Sequence, residues 1–312
     1  MKSMFSREEE SAWWALTQDK EGYSFYHLYT KPTENGILIT DRNDLSMAKT
    51  YMALAAADTG VTILVYAVMS NHFHWIVRGS AAAITRFFER FRYLMDVYFS
   101  RHGKGKRIRN ITSGMTAISS LKQFRDEAAY VLRNPFVVRS DINILCNEWT
   151  SGFLYFNPYL NRLLSRSANS LTKIEKRNLL KSSTLTIPGK LTFLGDTVNP
   201  ASFVDYKTVE SLFWNARKLT TWLLRNVEAQ IETALKYDEA PNLPDEELGP
   251  ILWRFCIDRF GKKSFRALRP DQQLEAFKEI KYKYSSSNSQ LSRITGIPVR
   301  EIDSLFPRCF GQ

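Results

Sequence analysis

Two histidines one residue apart are the residues of this sequence whose type and spacing most directly suggest chemistry. His72 and His74 follow Ser70-Asn71, which separates two apolar, β-branched runs in the stretch Val61–Gly79, so the stretch predicts two strands joined by a tight turn. Because side chains alternate along a strand, both imidazoles should point to one face. Two neutral imidazoles side by side can bind a metal ion, although two half-exposed polar residues on a solvated face would show the same pattern.

A tyrosine and an asparagine lie on a predicted helix further along the chain. In the run Tyr130-Val-Leu-Arg-Asn-Pro135 the tyrosine and Asn134 are four residues apart, so they share one helix face. A phenol nucleophile and an amide oxygen would then be presented together toward whatever the histidines bind. Without the histidine pair, Tyr130 would be interpreted as a partly buried helix tyrosine.

These residues together carry a family resemblance. Asn71-His72-Phe73-His74 followed by Tyr-x-x-x-Asn-Pro resembles the HUH single-strand transposases with one catalytic tyrosine, in particular the REP-associated tyrosine transposases, and the similarity covers roughly residues 20 to 160. It implies that His72, His74 and Asn134 hold Mg²⁺ or Mn²⁺ and that Tyr130 cleaves single-stranded DNA near a hairpin. The implied product is a 5′-phosphotyrosine linkage with a free 3′-hydroxyl, from which strands can be rejoined without ATP.

Two other functions remain open. The chain could be a domesticated DNA-binding protein that recognises sites without turnover. A replication initiator or relaxase with related chemistry is less favoured, because here the histidine strand precedes a lone tyrosine helix. Other catalytic classes lack support, since the sequence has no P-loop pattern, no paired-cysteine zinc motif and no nuclease-like cluster of Asp and Glu.

The composition favours a polyanionic partner. The chain has 312 residues, a formal net charge of +11 and a pI near 9.5, although the charge could also serve solubility alone. Cys146, Cys256 and Cys309 show no paired spacing, which predicts buried thiols in a reducing compartment. The N-terminal region contains the acidic residues Glu8–Glu10 and the sequence has no long apolar run, so we expect neither a signal peptide nor a membrane span. The sequence therefore predicts a cytoplasmic protein.

The elements that position the candidate residues predict an α+β fold. Strand, helix, strand, strand and helix follow one another, which is typical of a small antiparallel sheet packed against helices. The family resemblance implies the same architecture, an HUH or ferredoxin-like nuclease domain. The predicted elements besides the central hairpin are the strand Ser24–Thr30 and the helices Asp44–Ala57 (with Asp44 as N-cap), Ile84–Ser100 and Ser120–Arg133.

Three details of this domain bear on the site. His27 is a rival metal ligand, but it has no near partner in sequence and is interpreted as a structural or DNA-contacting strand histidine. Pro135 disfavours helical geometry for the residue before it, so the tyrosine helix should end at Asn134. The segment Asn110–Ser120 departs from the family pattern, which usually has a Gly- and Phe-containing strand there, so the sequence leaves the last strand and its DNA contacts open.

The most basic segment of the chain runs from Arg101 to Arg109. Its glycines should keep it flexible, and its cations can neutralise phosphates without reading bases, although a solvated basic loop would look the same. His102 is interpreted as an extra DNA contact or as a residue without a role. The predicted DNA contacts in this segment are Arg101, Lys104, Lys106, Arg107 and Arg109.

The rest of the chain predicts further units. Residues 1–160 would form the tyrosine nuclease domain, with a short helical lead-in containing Trp13 and Trp14. The polar residues 161–205 would be a linker or peripheral segment, and residues 206–312 an all-helical domain. The helices predicted in that domain are Tyr206–Ala234, Glu246–Phe260 and Pro270–Tyr282.

The chain ends in a pattern typical of a helix-turn-helix. Ser289–Leu305 predicts a short helix, a turn at Gly296 and a second helix that begins at Pro298. The second helix would expose Arg300 for DNA recognition, or the motif could serve as a lid or a self-contact module. Whether the protein is a monomer or a homodimer is open, and a dimer could let Tyr130 act at the metal site of a partner.

Overall fold

The computed structural model describes residues 24–31, 38–105, 108–138, 144–224, 243, 245–284 and 286–306. The described chain is α+β, as predicted. The elements that build its first part are β1 (Ser24–Thr30), α1 (Arg42–Thr59), β2 (Thr62–Val68), β3 (Phe73–Gly79), α2 (Ala81–Arg101), β4 (Ser113–Ile118) and α3 (Leu121–Val138). The four strands form the main antiparallel sheet in the order β2–β3–β1–β4.

The two faces of the sheet are covered by different helices. Phe73 and Trp75 of β3 point toward α2, where both rings contact Phe91 at centroid distances of 5.1 and 5.2 Å. On the other face Phe25 of β1 packs against Phe124 of α3 at 5.6 Å. Since residues pair across antiparallel strands on a common face, the imidazoles of His27 and His74 share the α3 side of the sheet.

Strand β4 occupies the segment in which the sequence leaves the last strand open. It pairs with β1 and is an edge strand whose side chains are mostly exposed, so it shows no apolar alternation. Gly114 faces Tyr29 across the pair, and a Cβ added to Gly114 would lie 2.3 Å from Cζ of that ring. Any side chain at position 114 would therefore displace the Tyr29 ring.

Helix α1 begins earlier than predicted. Its N-cap is Asp41, whose carboxylate accepts a hydrogen bond of 2.9 Å from the backbone N–H of Asp44. The predicted cap, Asp44, is instead a buried helical residue, and its carboxylate accepts hydrogen bonds from Lys104 and Thr40.

Helix α3 continues beyond the predicted end. It follows Ser120, whose hydroxyl accepts the N–H of Gln123 at 3.1 Å, and it runs through Pro135 to Val138. A proline inside a helix removes one backbone hydrogen bond and usually bends the helix, but it does not have to end it. Asn134 thus lies within the helix and not at its terminus, which corrects the sequence prediction.

Residues 144–205 cover the outer edge of β2 and pack on α1. Val68 donates its N–H to the carbonyl of Trp149, and the phenol of Tyr51 donates to the carbonyl of Leu180 at 2.9 Å. The regular elements of this segment are β5 (Arg166–Ser167), α4 (Lys173–Leu180), β6 (Thr192–Leu194) and β7 (Thr197–Val198), and β5–β7 form a second small sheet.

Helices make up most of the remaining described chain. The helix predicted from Tyr206 to Ala234 is broken at Trp214, which has a left-handed φ of 64°, and its predicted end lies outside the described residues. The helices are α5 (Tyr206–Phe213), α6 (Ala216–Leu223), α7 (Asp245–Phe260), α8 (Pro270–Lys283), α9 (Asn288–Thr295) and α10 (Val299–Leu305). None of the helices in the described ranges has both the length and the apolar character that a membrane crossing needs.

Buried apolar side chains form two separate clusters. The first draws on residues from Phe25 to Leu223 and thus includes α5 and α6, whereas the second is built from residues Leu243 to Phe306. The predicted division at residues 160 and 205 stays a prediction. Cys256 is buried as predicted, but Cys146 is exposed, because it ends a short 3₁₀ turn outside the sheet. Cys309 and the lead-in with Trp13 and Trp14 lie outside the described residues.

Candidate active site

The turn between β2 and β3 fixes His72. The N–H of Met69 donates to the carbonyl of His72 at 2.9 Å, which closes the turn around Ser70 and Asn71. Strand β3 starts one residue later than predicted, so His72 directly precedes it. Nδ1 of His72 lies 2.7 Å from the side-chain oxygen of Asn71, while its Nε2 is buried and has no hydrogen-bond partner among the described residues.

His74 is part of a chain of buried polar side chains. Its Nδ1 lies 3.1 Å from Nε2 of His27, and Nδ1 of His27 lies 2.9 Å from a carboxylate oxygen of Glu127. On the other side of the ring, Nε2 of His74 lies 3.2 Å from the amide nitrogen of Asn134. This row of polar side chains therefore joins β1 and β3 to two turns of helix α3.

The tyrosine helix faces both histidines of the sheet. The ring of Tyr130 lies 5.7 Å from the ring of His74 and 6.2 Å from the ring of His27, measured between centroids. The His72 and His74 rings are 4.9 Å apart, so the predicted common face is realised. Within the described chain, Tyr130 therefore lies next to His74 and His27.

Burial controls the charge of the site. It lowers the pKa of His72 to about 4, and burial together with the charges of His72 and His27 holds the pKa of His74 well below its usual value. Both imidazoles are therefore neutral at neutral pH. Solvent reaches only the edge of the site, where His72, Tyr130 and Asn134 are 7, 9 and 6% exposed.

The candidate donors to a divalent cation, two imidazoles and one amide, carry no charge. Among the described residues, no three His, Cys, Asp or Glu side chains are arranged to hold a metal ion. A cation here would be bound by the Nε2 atoms of His72 and His74 and by the amide oxygen of Asn134. The amide nitrogen of Asn134 faces Nε2 of His74 in this structure, so the amide would have to turn over to bind the cation. The buried Nε2 of His72, which lacks a partner in the described chain, fits this use, since such a polar atom is costly unless a ligand satisfies it.

The predicted DNA-contacting residues have different surroundings. Lys104 donates to Asp41 at 2.8 Å and to Asp44 at 2.6 Å, and Arg109 donates to Asp96 at 2.9 Å, so carboxylates already partner both cations. Arg101 and Arg300 are exposed. Lys106 and Arg107 lie outside the described residues, and His102 donates from Nδ1 to the carbonyl of Tyr98.

Sequence reasoning missed Glu127 and gave His27 no partner. Glu127, Tyr130 and Asn134 are three and four residues apart, so one stripe of α3 carries all three, and this spacing could have been recognised. The contact of His27 with His74 could not have been recognised from the sequence, because the two residues are 47 positions apart and only the pairing of β1 with β3 brings them together. Only the strand register brings these imidazoles together.

Comparisons with known proteins give limited information. No family model and no curated protein matches the chain. A solved structure described as a REP-associated tyrosine transposase bound to a REP hairpin is similar at 15% identity and a TM-score of 0.33, over 49% of this chain and 84% of that chain. A match at this level assigns neither an activity nor a ligand to the present chain.

Proposed function

We propose that the protein is a metal-dependent endonuclease and strand-joining enzyme that acts on single-stranded, hairpin-bearing DNA through Tyr130. One observation carries the proposal: the buried Tyr130 on α3 faces the neutral imidazole of His74, and the adjacent His72 has a buried Nε2 atom with no partner among the described residues. Packing alone seldom accounts for an unsatisfied buried nitrogen. A site that binds a cation next to a nucleophile accounts for it.

The cleavage step is a displacement at phosphorus. The phenol oxygen of Tyr130 forms a bond to the phosphorus of one phosphodiester, and the bond to the 3′-oxygen breaks. The phenol proton is released, and the 3′-oxygen leaves as a hydroxyl after taking up a proton. The new 5′-phosphotyrosine bond retains the energy of the diester, so attack by another 3′-hydroxyl rejoins strands and frees Tyr130.

Other residues of the site would bind the metal ion, position the nucleophile and contact phosphates. His72, His74 and Asn134 would hold Mg²⁺ or Mn²⁺, which when bound would neutralise charge on the scissile phosphate. Helix α3 positions Tyr130 and Asn134 together, because they lie one turn apart. The net charge of +11 favours a polyanionic substrate, and exposed Arg101 and Arg300 are the described candidates for phosphate contacts.

The test is a denaturing gel of the protein with labelled hairpin DNA and Mn²⁺. Wild type should give a slowly migrating covalent adduct, and Tyr130→Phe should give none while still binding the DNA. Tyr51→Phe is a matched control, because it removes the hydroxyl of another buried tyrosine, one that donates to the carbonyl of Leu180. An adduct in Tyr130→Phe, or its absence from wild type on a broad hairpin pool, would refute the proposal.

A second candidate is a DNA-binding protein without turnover. The observation in its favour is the burial of Tyr130, since a phosphate must reach a residue that is only 9% exposed. In this case recognition would rest on the basic surface and on helices α9 and α10, which surround the left-handed Gly296 in the order of a helix-turn-helix. Equal hairpin binding by wild type and Tyr130→Phe, with no adduct from either, would favour this function.

A further inference from the structure

Three side chains around the histidine pair have no part in the proposed reaction. Asn71 contacts Nδ1 of His72, and His27 contacts Nδ1 of His74 while it is itself held by Glu127. In both cases the nitrogen that these residues contact is Nδ1. Nε2 of His74 also contacts Asn134, whereas Nε2 of His72 has no partner among the described residues.

The hydrogen bonds fix where each proton lies. The amide nitrogen of Asn134 can only donate, so Nε2 of His74 accepts and Nδ1 of His74 carries the proton. Nδ1 of His74 then donates to Nε2 of His27, and Nδ1 of His27 donates to the carboxylate of Glu127. The same reasoning applies to His72, because the amide oxygen of Asn71 can only accept. The lone pair of Nε2 of His74 accepts from Asn134, so a cation would have to take the place of that hydrogen bond.

We propose that Asn71 and the Glu127–His27 pair are positioning residues that hold His72 and His74 in the Nδ1–H tautomer, so that neither Nε2 atom carries a proton where a divalent cation would bind. The inference rests on the proposed function, because it specifies how that site would bind its metal. A histidine that ligates a metal commonly donates its other N–H to a carboxylate or carbonyl group, which fixes the ring and makes the ligating nitrogen more basic. Here an additional imidazole extends the path from His74 to the carboxylate.

Burial of the pair favours this role over simple packing. His27 is fully buried and Glu127 is 2% exposed, and a carboxylate removed from water is costly unless its partners repay the lost solvation. Apolar side chains of similar size would fill the same space without this cost. The pair also joins β1 to α3, the helix that carries Tyr130 and Asn134, so it sets the nucleophile helix against the strands that carry the histidines.

The first experiment observes the tautomers directly. The chain has four histidines, so the ring nitrogens of ¹⁵N-histidine-labelled protein can be assigned from single substitutions. In metal-free protein, His72 and His74 should both show protonated Nδ1 and unprotonated Nε2. A proton on Nε2 of His74 would overturn the inference, because that nitrogen would then lack the lone pair for a cation.

The second experiment measures Mn²⁺ affinity of the full chain by calorimetry. His27→Leu and Glu127→Met should weaken binding about 10- to 100-fold, the range found when groups behind metal ligands are removed. His27→Gln should stay much closer to wild type, since an amide can both donate to Glu127 and accept from His74. Asn71→Ala tests the His72 side at a partly exposed position that folding tolerates more easily.

Phe124→Leu is the matched control for loss of packing. Phe124 lies one turn before Glu127 and packs on Phe25, so the variant loosens α3 without removing a polar partner. Folded His27→Leu and Asn71→Ala proteins that bind Mn²⁺ as wild type does, or a wild type that binds no Mn²⁺, would overturn the inference. A weakened affinity in these variants would support it even if the Tyr130 adduct never forms, which would refute only the proposed reaction.

Discussion

Lys104 of the basic segment could either contact DNA or stabilise the fold, and a substitution distinguishes the two roles. The sequence predicts that it contacts DNA phosphates, but its ammonium group lies 2.6 Å from Asp44 and 2.8 Å from Asp41, with only 21% of the side chain exposed. Asp44 is completely buried and also accepts a hydrogen bond from Tyr98. Lys104→Met would leave the carboxylate of Asp44 buried without its cation.

The structure sets the size of the effect. Removing one partner of a buried ion pair costs about 3–5 kcal/mol, and the partial exposure of Lys104 places the loss near the lower end, at about 3 kcal/mol. Because 1 kcal/mol shifts the melting temperature of a domain of 150–250 residues by about 2–4 °C, we expect a decrease of about 6–12 °C. Adding Asp44→Asn to Lys104→Met should cost less than the two single changes together, because no unpaired charge then remains.

The assay combines thermal unfolding with DNA binding at several salt concentrations. Arg101→Met is the control, since Arg101 lies exposed at the end of α2. It should leave stability within about 0.5 kcal/mol but should reduce the salt slope of binding by about one. Lys104→Met should lower the melting temperature, and at temperatures where the variant is still folded it should leave the salt slope of DNA binding unchanged. An unchanged melting temperature together with a smaller salt slope for Lys104→Met would refute the reasoning.

Two further predictions concern the surroundings of the histidines. Gly114→Ala should displace the Tyr29 ring, because the new Cβ would lie 2.3 Å from Cζ, and should destabilise the protein by about 1–3 kcal/mol. Adding Tyr29→Leu should restore most of the melting temperature, and equal melting temperatures for wild type and Gly114→Ala would contradict the prediction. In metal-free protein, the folded pKa of His72 near 4 lies below the unfolded value of 6.5, so its contribution to stability is complete above pH 6.5 and is lost as the pH falls toward 4. The loss should reach about 3 kcal/mol in urea titrations and should be missing in His72→Asn, and identical pH profiles for the two proteins would count against it.

The sequence by itself determined the elements and the candidate residues that depend on local spacing. The strand Ser24–Thr30, the hairpin around Asn71 and the amphipathic helix α2 follow from periodicities of two and 3.6 residues, which a linear pattern records directly. The same periodicities put His72 with His74, and Tyr130 with Asn134. The roles of these four residues in metal binding and cleavage stay predictions.

Only the tertiary structure decided what surrounds these residues. Strand β4 is at the edge of the sheet and lacks apolar alternation, and α3 runs through Pro135 although the proline disfavours it. The Lys104–Asp44 pair and the His27–His74 contact join positions 60 and 47 residues apart. No local pattern encodes such contacts, because they depend on strand register and on which face each helix covers. In the folded protein, Lys104 of the basic segment is paired with Asp44, and His27 contacts the candidate metal ligand His74.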